Sequence, residues 1–214
     1  MINIIRMKSQ GEKEKICDII LSQIDKLQDS IRGKGQLLYL SKRVRHKDVS
    51  LFIHTSHSSV LGDFISEQLS NIDHITDIWV INLIKPIFYP LPKDTKDLER
   101  YTITLKVFPK KLNDVYQHIS CDELPDGLRL AYIAYTFHLF GDSIMFSVLT
   151  EDDLILNKYL SRKVDKLPGV LNATVNRIER TRPLVSYEDW KQYSSHHGIV
   201  FSWDEELMIS QFHS

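Results

Sequence analysis

The stretch "LFGDSIMFSVLTEDDLILNKYLSRKVDKLPGVLNATVNRIE" spans residues 139–179 and has the pattern of a strand, a helix and a second strand. The segment SIMFSVLT is rich in residues that favour strands. Acidic residues follow it, at the start of a helix, where they interact well with the positive end of the helix dipole. Apolar residues then recur at helical spacing until Pro168 and Gly169 end the helix, and VLNATVNRIE returns as a strand.

Three further segments precede this stretch. RYTITLKVF, residues 100–108, alternates apolar and polar residues and predicts a strand. KKLNDVYQHISCDEL has its apolar residues at helical spacing, and the long apolar segment LRLAYIAYTF predicts another strand. The second half of the chain therefore has the order βαββαβ, which is the order of the ferredoxin-like fold.

The first half of the chain repeats this order. INIIRM, QLLYLSKRV, VSLFIHTS and ITDIWVINLIKPIF predict strands, and EKEKICDIILSQIDKL and SVLGDFISEQLSNI predict helices. Five apolar residues of the first half recur in the second half with one common offset, which indicates an internal duplication. They are Leu69, Ile72, Ile75, Val80 and Leu83, matched by Val164, Leu167, Val170, Val175 and Ile178.

These repeats predict an α+β fold made of two tandem ferredoxin-like βαββαβ domains. Segments such as IWVINLI are apolar on both faces of the strand, and a large bare apolar face is unfavourable in water. We therefore expect the domains to pack sheet to sheet as a pseudo-dimeric α+β barrel. The predicted domains are residues 1–92, a degenerate copy, residues 93–185, and a C-terminal docking extension at residues 186–214. The charged, proline-containing segment YPLPKDTKDLE lies between the copies.

The composition limits the classes of function. The chain has 27 basic and 28 acidic residues, so its net charge gives no general attraction to nucleic acid. It lacks an apolar run of the roughly 18 residues that a transmembrane helix needs and an apolar N-terminal core of signal-peptide length. Cys17 and Cys121 form no C-x-x-C pair. The sequence therefore predicts a cytoplasmic protein without a membrane partner.

Two short motifs in the second half resemble those of the effector-binding domain of the Lrp/AsnC family of leucine-responsive regulators. Gly141-Asp142 precedes the third strand of the copy, and Leu167-Pro168-Gly169-Val170 joins its last helix to its last strand. The resemblance covers residues 100–182. In the first half His46-Lys47-Asp48 and Asp73-His74 replace these motifs, so only the general pattern is kept there.

This resemblance implies a non-catalytic sensor or adaptor in transcription that binds a small effector, such as an amino acid. It further implies a homo-oligomer with transcription-related protein partners. The implied ligand-binding residues lie at the two ends of the third strand of this copy and are Gly141, Asp142, Ser143, Thr150 and Asp152. From chemistry alone, Gly-Asp fits either a ligand site or an ordinary turn, and the acidic residues also fit a helix cap with Thr150 as the N-cap.

Family members carry an N-terminal helix-turn-helix, whereas this chain has one helix followed by strand-like sequence. The segment LSKRVRHK still forms a basic cluster of Lys42, Arg43, Arg45 and Lys47, which could contact phosphates. The alternative is a solvated β-hairpin, and we favour the hairpin because Asp48 follows and the strand order of the repeat requires it. Direct DNA binding is therefore a minor alternative.

The main alternative to the sensor is an α+β-barrel enzyme of the haem or oxygenase type with an intersheet cavity. Aromatic residues on the predicted strands could line that cavity; they are Tyr39, Trp79, Tyr132, Tyr135 and Phe137. His54 and His57 lie three residues apart, but no Glu stands between them at the spacing of a zinc-protease motif, so we interpret them as surface or capping residues. Without a dinucleotide or phosphate-loop motif, the sequence predicts no cofactor and no metal.

Overall fold

The structure is a computed structural model that describes residues 1–11, 13–89, 98–136, 141 and 143–196. Contacts between residues divide the chain into two units. Unit 1 consists of Met1–Leu83 and the segment that begins at Glu179, and unit 2 consists of Ile84–Ile178.

Unit 1 contains the first copy of the repeat. Its elements are β1 (Ile2–Ser9), α1 (Lys13–Ser22), α2 (Ile24–Ser30), β2 (Gly35–Arg43), β3 (Asp48–Thr55), α3 (Ser58–Asp63) and most of β4 (Ile75–Phe88). The helix predicted as one segment is divided into α1 and α2 at Gln23. A π-helical turn and a 3-10 turn continue α3 as far as Asn71.

The sheet of unit 1 is antiparallel and has the strand order β4-β1-β3-β2, which is the order of a ferredoxin-like sheet. One face of this sheet packs against α1, α2 and α3. Its core includes Ile5 and Leu51 from the strands and Ile20, Leu27 and Phe64 from the helical segments, all almost fully buried. The apolar periodicity of each element therefore determines which face of the sheet the helices cover.

Unit 2 repeats the arrangement. Its elements are β5 (Glu99–Val107), α4 (Leu112–Cys121), β6 (Leu128–Tyr135), β7 (Ile144–Thr150), α5 (Asp153–Arg162) and most of β8 (Val170–Pro183). Its strand order is β8-β5-β7-β6, and Ile84, Ile87 and Phe88 at the end of β4 pair with β6. The end of β8 belongs to unit 1, beside β2, and there Leu184 N–H donates to the carbonyl of Leu38 at 2.9 Å. Helix α6 (Tyr187–His196) follows in unit 1.

Close packing in the Pro-Gly turn of unit 2 explains why residue 169 is a glycine. Gly169 has a φ of +104°, and a Cβ placed there would lie 2.3 Å from Cβ of Lys111. The amide of Phe108 also donates to the carbonyl of Gly169 at 2.8 Å. Only glycine combines this backbone conformation with so close an approach.

The predicted α+β fold class with two βαββαβ repeats is confirmed. The last strands of the two copies, β4 and β8, are each 14 residues long. The predicted boundary at residue 92 lies outside the described residues, and the predicted domain limits stay predictions. Within the described ranges, no helix has the length and apolar character needed to span a lipid bilayer.

Candidate functional site

The sheet of unit 1 has a second face, opposite the face that α1, α2 and α3 cover. Successive side chains of a strand point to opposite faces, and directly paired residues share a face. The register therefore arranges the second face in four rows across β4, β1, β3 and β2. The rows are Leu83, Ile2, His54 and Gln36; Ile81, Ile4, Phe52 and Tyr39; Trp79, Arg6, Ser50 and Ser41; and Asp77, Lys8, Asp48 and Arg43. We name them the His54, Phe52, Arg6 and Asp48 rows.

His54 is the titratable group of the first row and is only 7% exposed. Its Nδ1 lies 2.8 Å from the hydroxyl of Tyr193 on α6, and its Nε2 lies 3.1 Å from the amino nitrogen of Met1. Burial raises the pKa of Tyr193 to about 12, so its hydroxyl stays protonated at neutral pH. The imidazole is therefore fixed in orientation and has a proton-carrying partner.

The Phe52 row is aromatic and apolar. The rings of Tyr39 and Phe52 stack with their centroids 3.9 Å apart and an interplanar angle of 20°. Ile4 and Ile81 continue the row on β1 and β4, and both are almost fully buried. Phe52 is buried as well, and Tyr39 is the half-buried member of the row.

The Asp48 row holds a buried ion pair. Nε of Arg43 donates to Oδ1 of Asp48 at 2.9 Å, and a second guanidinium nitrogen contacts Oδ2 of the same carboxylate. Arg43 is 8% exposed and Asp48 is 4% exposed. Such a bidentate pair is strong and also fixes the position of both side chains.

Unit 2 has its own second face, and one row of it is polar throughout. The row consists of Asn176, Thr102, Ser147 and Tyr132, all buried. Oγ of Ser147 donates to the carbonyl of Tyr101 at 2.9 Å and accepts from Nε of Arg100 at 3.2 Å. This row contains no histidine, whereas the first row of unit 1 contains His54.

A cleft of about 110 Å³ lies in unit 1 beside α1, β2 and the end of β8. Leu21, Leu40 and Cys17 form its apolar part, and burial raises the pKa of the Cys17 thiol to about 11. Its charged lining residues are Glu14, Asp18, Lys42 and Arg182. At neutral pH the thiol is protonated and hence a weak nucleophile, so the cleft carries no activated cysteine.

The predicted ligand-binding residues fall into two groups at opposite ends of β7. Gly141 has a φ of +78° and accepts from the Ser143 hydroxyl at 3.3 Å, whereas Asp142 lies outside the described residues. At the other end, Asp152 and not Thr150 is the N-cap of α5, because its Oδ1 accepts from the Leu154 amide at 2.8 Å. The ends of this seven-residue strand are about 20 Å apart, so one small ligand does not reach both. Ligand binding at either group stays a prediction.

The basic cluster lies on the predicted hairpin, since β2 and β3 are joined by a turn. Lys42 forms ion pairs with Glu14 at 3.3 Å and Glu179 at 3.6 Å, and Arg43 is buried against Asp48. Arg45 and Lys47 are exposed in the turn. Half of the cluster is thus already neutralised by carboxylates, and its contact with nucleic acid stays a prediction.

Four of the five aromatic residues predicted to line one cavity are among the described residues, and the cavity itself stays a prediction. Tyr39 and Trp79 lie on the second face of unit 1, and Tyr132 lies on that of unit 2. Tyr135 lies on the helix side of unit 2, where its ring stacks on Tyr116 with centroids 4.1 Å apart. Phe137 lies outside the described residues.

His54 is the candidate site residue that the sequence interpretation missed, because it was grouped with His57 as a surface or capping residue. The structure shows His57 exposed and His54 buried. The alternation of VSLFIHTS does contain the signal, since His54 has the same parity as Phe52 and Ser50.

The described residues do not fit a haem. An axial haem ligand is commonly a histidine. His46, His57, His74, His118 and His196 are exposed, and both ring nitrogens of His54 already face other polar atoms. No group of three His, Cys, Asp or Glu residues in the described ranges is arranged to hold a metal ion.

Comparisons with known proteins give a likeness of fold. No family model and no curated protein sequence matches this chain. Among solved structures, an anthrone oxidase-like protein matches with a TM-score of 0.55 at 9% identity, over 95% of this chain and 96% of that chain. A variant of chlorite dismutase from Candidatus Nitrospira defluvii matches with a TM-score of 0.53 at 12% identity, over 90% and 95%. A candidate monooxygenase from Lactobacillus acidophilus NCFM matches with a TM-score of 0.52 at 10% identity, over 83% and 91%.

These matches correct the functional predictions. These structures are of the monooxygenase, oxidase and chlorite dismutase types and are not Lrp/AsnC effector domains, so the assignment to that regulator family is wrong. The predictions of amino-acid sensing, transcription-related partners and a non-catalytic chain depended on that assignment and are wrong with it. Oligomerisation stays a prediction. The chain therefore has the fold of this group of enzyme-type α+β proteins.

Proposed function

We propose that this chain is an enzyme of the oxidase or monooxygenase type that acts on a small planar organic substrate with an acidic C–H group. One observation carries the proposal: a buried imidazole, His54, is held by Tyr193 beside an aromatic surface made by Phe52 and Tyr39. The fold likeness to an anthrone oxidase-like protein and to a candidate monooxygenase supports this class of reaction.

The chemistry requires a base, an electron-rich substrate and dioxygen. The Phe52 row binds the planar body of the substrate and places its acidic carbon at His54. When Nδ1–H donates to the phenolic oxygen of Tyr193, Nε2 is unprotonated and takes the proton from the substrate, which displaces the Met1 amine from that nitrogen. The resulting carbanion gives its electrons to O2. In the balanced reaction a CH2 group and O2 yield a C=O group and one molecule of water, so no further reductant is consumed.

On this proposal, the enzyme is located in the cytoplasm. Both cysteines of the chain are free thiols, with Cys17 buried and Cys121 exposed. Free thiols are usual in a reducing compartment.

The test uses anthrone and hydroxylated anthrones as probes, with O2 uptake followed by an electrode and the quinone product by absorbance. We expect one O2 consumed for each quinone formed, and a fall of about 100-fold or more in the enzymatic rate for His54→Asn. His57→Asn is the matched control, because it changes an exposed histidine three residues away, and it should retain the full rate.

His54→Gln and a melting curve for each variant separate loss of the base from loss of the fold. The proposal is overturned if the wild-type protein oxidises none of the probes faster than buffer does. It is also overturned if a folded His54 variant keeps the wild-type rate.

A further inference from the structure

The cleft in unit 1 lies on the helix side of the sheet, opposite the face that carries the His54 and Phe52 rows. Leu40 of β2 lines it and pairs in register with Leu51, a core residue that the helices cover. Arg182, near the end of β8, lines it from the neighbouring strand. One side of α1 forms the remaining wall, because residues at positions i, i+3, i+4 and i+7 share a side of a helix. These residues are Glu14, Cys17, Asp18 and Leu21.

Lys42 and Glu14 form an ion pair in the cleft, whereas Asp18 and Arg182 are available to a ligand. Nζ of Lys42 lies 3.3 Å from a carboxylate oxygen of Glu14 and 3.6 Å from one of Glu179, so these charges are already paired. Asp18 and Arg182 are both exposed and form no hydrogen bond or ion pair with the described part of the chain, including each other. The cleft therefore offers one carboxylate on α1 and one guanidinium on β8, with room for a small molecule between them.

The bottom of the cleft is apolar and small. Leu40 is 3% exposed and Cys17 is 8% exposed, and the half-buried Leu21 lies beside them. The Cys17 thiol is protonated at neutral pH, because burial raises its pKa to about 11, so it adds apolar surface and no charge. An apolar cavity of roughly 150 Å³ accepts a benzene molecule. At about 110 Å³ the cleft suits a smaller body, such as a branched alkyl group of about three or four carbon atoms.

From this geometry we infer that the cleft binds a small primary carboxamide with a short branched alkyl group. The amide N–H groups donate to the Asp18 carboxylate, and the amide oxygen accepts from the Arg182 guanidinium. The alkyl group lies on Leu40 and Cys17. A ligand carboxylate would meet the charge of Asp18, and a ligand cation would meet that of Arg182, whereas a neutral group with a donor and an acceptor satisfies both. The site is separate from His54, and the inference does not depend on the proposed function.

The test compares three ligands of the same shape and different charge. Isobutyramide is neutral, isobutyrate is an anion and isobutyramidinium is a cation at neutral pH. Each is titrated into the full chain, and binding is followed by NMR through the backbone amide signals of Cys17 and Leu40. We expect the dissociation constant of isobutyramide to be at least about fivefold lower than that of either charged ligand.

Two variants should change this order in opposite directions. Asp18→Asn removes the carboxylate, so isobutyrate should bind at least about fivefold more tightly than in the wild-type protein and become the preferred ligand. Arg182→Gln removes the guanidinium, so isobutyramidinium should become the preferred ligand instead. Asp25→Asn and Arg45→Gln are the matched controls, because they remove exposed charges outside the lining of the cleft, and both should keep the wild-type order.

A melting curve for each variant shows whether the fold is intact, and Arg182→Lys, which retains the positive charge, should keep the preference for the amide. His54→Asn should bind isobutyramide as the wild-type protein does, so a failure of the proposed function leaves this result unaffected. The inference is overturned if isobutyramide shifts neither amide signal of the wild-type protein, or if a charged ligand binds as tightly as isobutyramide. It is also overturned if folded Asp18→Asn and Arg182→Gln keep the wild-type order of affinities.

Discussion

The phenolic oxygen of Tyr193 lies 2.8 Å from Nδ1 of His54, although 139 residues separate the two in the chain. Their rings meet edge to face with centroids 5.5 Å apart. Helix α6 lies outside both repeats, and this contact joins it to β3 of the same unit. Within the predicted docking extension, residues 186–214, the described part therefore contacts its own chain, and residues 197–214 lie outside the described residues.

Tyr193→Phe removes the hydroxyl and leaves the ring. Because one partly buried hydrogen bond is lost, we expect the free energy of unfolding to fall by about 1 kcal/mol. Urea denaturation measures the change. Tyr135→Phe is the control, since it removes an exposed hydrogen bond to Asn113 and should cost less than about 0.5 kcal/mol. If both variants lose the same free energy of unfolding, the partly buried hydrogen bond between Tyr193 and His54 is contradicted.

Asp48→Asn leaves the guanidinium of Arg43 buried without its ion-pair partner. Breaking a buried pair from one side costs about 3–5 kcal/mol, so a large fall in the denaturation midpoint should follow. Asp29→Asn breaks an exposed pair with Arg32 and should cost less than about 1 kcal/mol. A small effect of Asp48→Asn would show that Arg43 finds other partners.

The ion pairs around the cleft predict a dependence of stability on pH. A hydrogen bond from Lys13 and the nearby charges lower the pKa of Glu179, and hydrogen bonds from its own backbone and from Lys42 lower that of Glu14. These carboxylates stabilise the fold above their ordinary pKa, and the contribution is lost as the pH falls through the lowered values. Between pH 6 and pH 3, the free energy of unfolding should therefore depend less on pH in the double variant Glu14→Gln/Glu179→Gln than in the wild-type protein. If the double variant keeps the wild-type pH dependence of stability, these two carboxylates are not the cause of that dependence.

The raised pKa of Lys42 predicts how the stability of the fold changes at alkaline pH. Burial alone would lower its pKa, but the hydrogen bond to Glu14 and the charges of Glu179 and Glu14 outweigh burial, so its pKa is raised. Its contribution to stability is present below its ordinary pKa and is lost as the pH rises through the raised value. Lys42→Met should therefore weaken the loss of stability above about pH 10. Lys47→Met is the control, because Lys47 is exposed in the turn.

The two cysteines should differ in reactivity. Burial raises the pKa of Cys17 to about 11, whereas Cys121 is exposed. At pH 8 we expect iodoacetamide to add one group to the native protein, at Cys121, and a second group only after unfolding in urea. Intact-mass spectra follow the reaction. Cys121→Ser should then take up no label in the native state, and rapid labelling of that variant would refute the burial of Cys17.

Gly169→Ala tests the packing of the Pro-Gly turn. The new Cβ would meet Lys111 in a left-handed backbone conformation, and we expect a loss of at least about 2 kcal/mol. Gly62→Ala lies in α3 with nothing within 4 Å, so it should instead gain up to about 1 kcal/mol. Thermal unfolding of both variants checks the difference in sign. Equal effects would contradict the close approach to Lys111.

The motifs that predicted the fold correctly also produced the wrong family. Gly141 and Gly169 both adopt positive φ, and Gly169 is required by its contact with Lys111. Turns in a βαββαβ unit require glycines of this kind, whatever the unit binds. They therefore recur in unrelated proteins of this architecture, and they identify the fold without identifying its chemistry.

The candidate functional face of unit 1 was harder to predict from the sequence than the strands that form it. The alternation along β3 assigns His54 and Phe52 to one face, but it does not say which face the helices cover until the whole sheet is assembled. The contact of His54 with Tyr193 depends on a helix beyond the second repeat. No local pattern carries such long-range information.

Among the described residues, unit 2 is one continuous segment, Ile84–Ile178, whereas unit 1 needs both Met1–Leu83 and the segment that begins at Glu179. During synthesis on a ribosome, the usual order of folding is from the N-terminus. Here the first half of the chain leaves the exit tunnel before the strand and helix that complete it exist. The described part of unit 2 is therefore synthesised in full before that of unit 1, which must wait for the residues from Glu179 onwards.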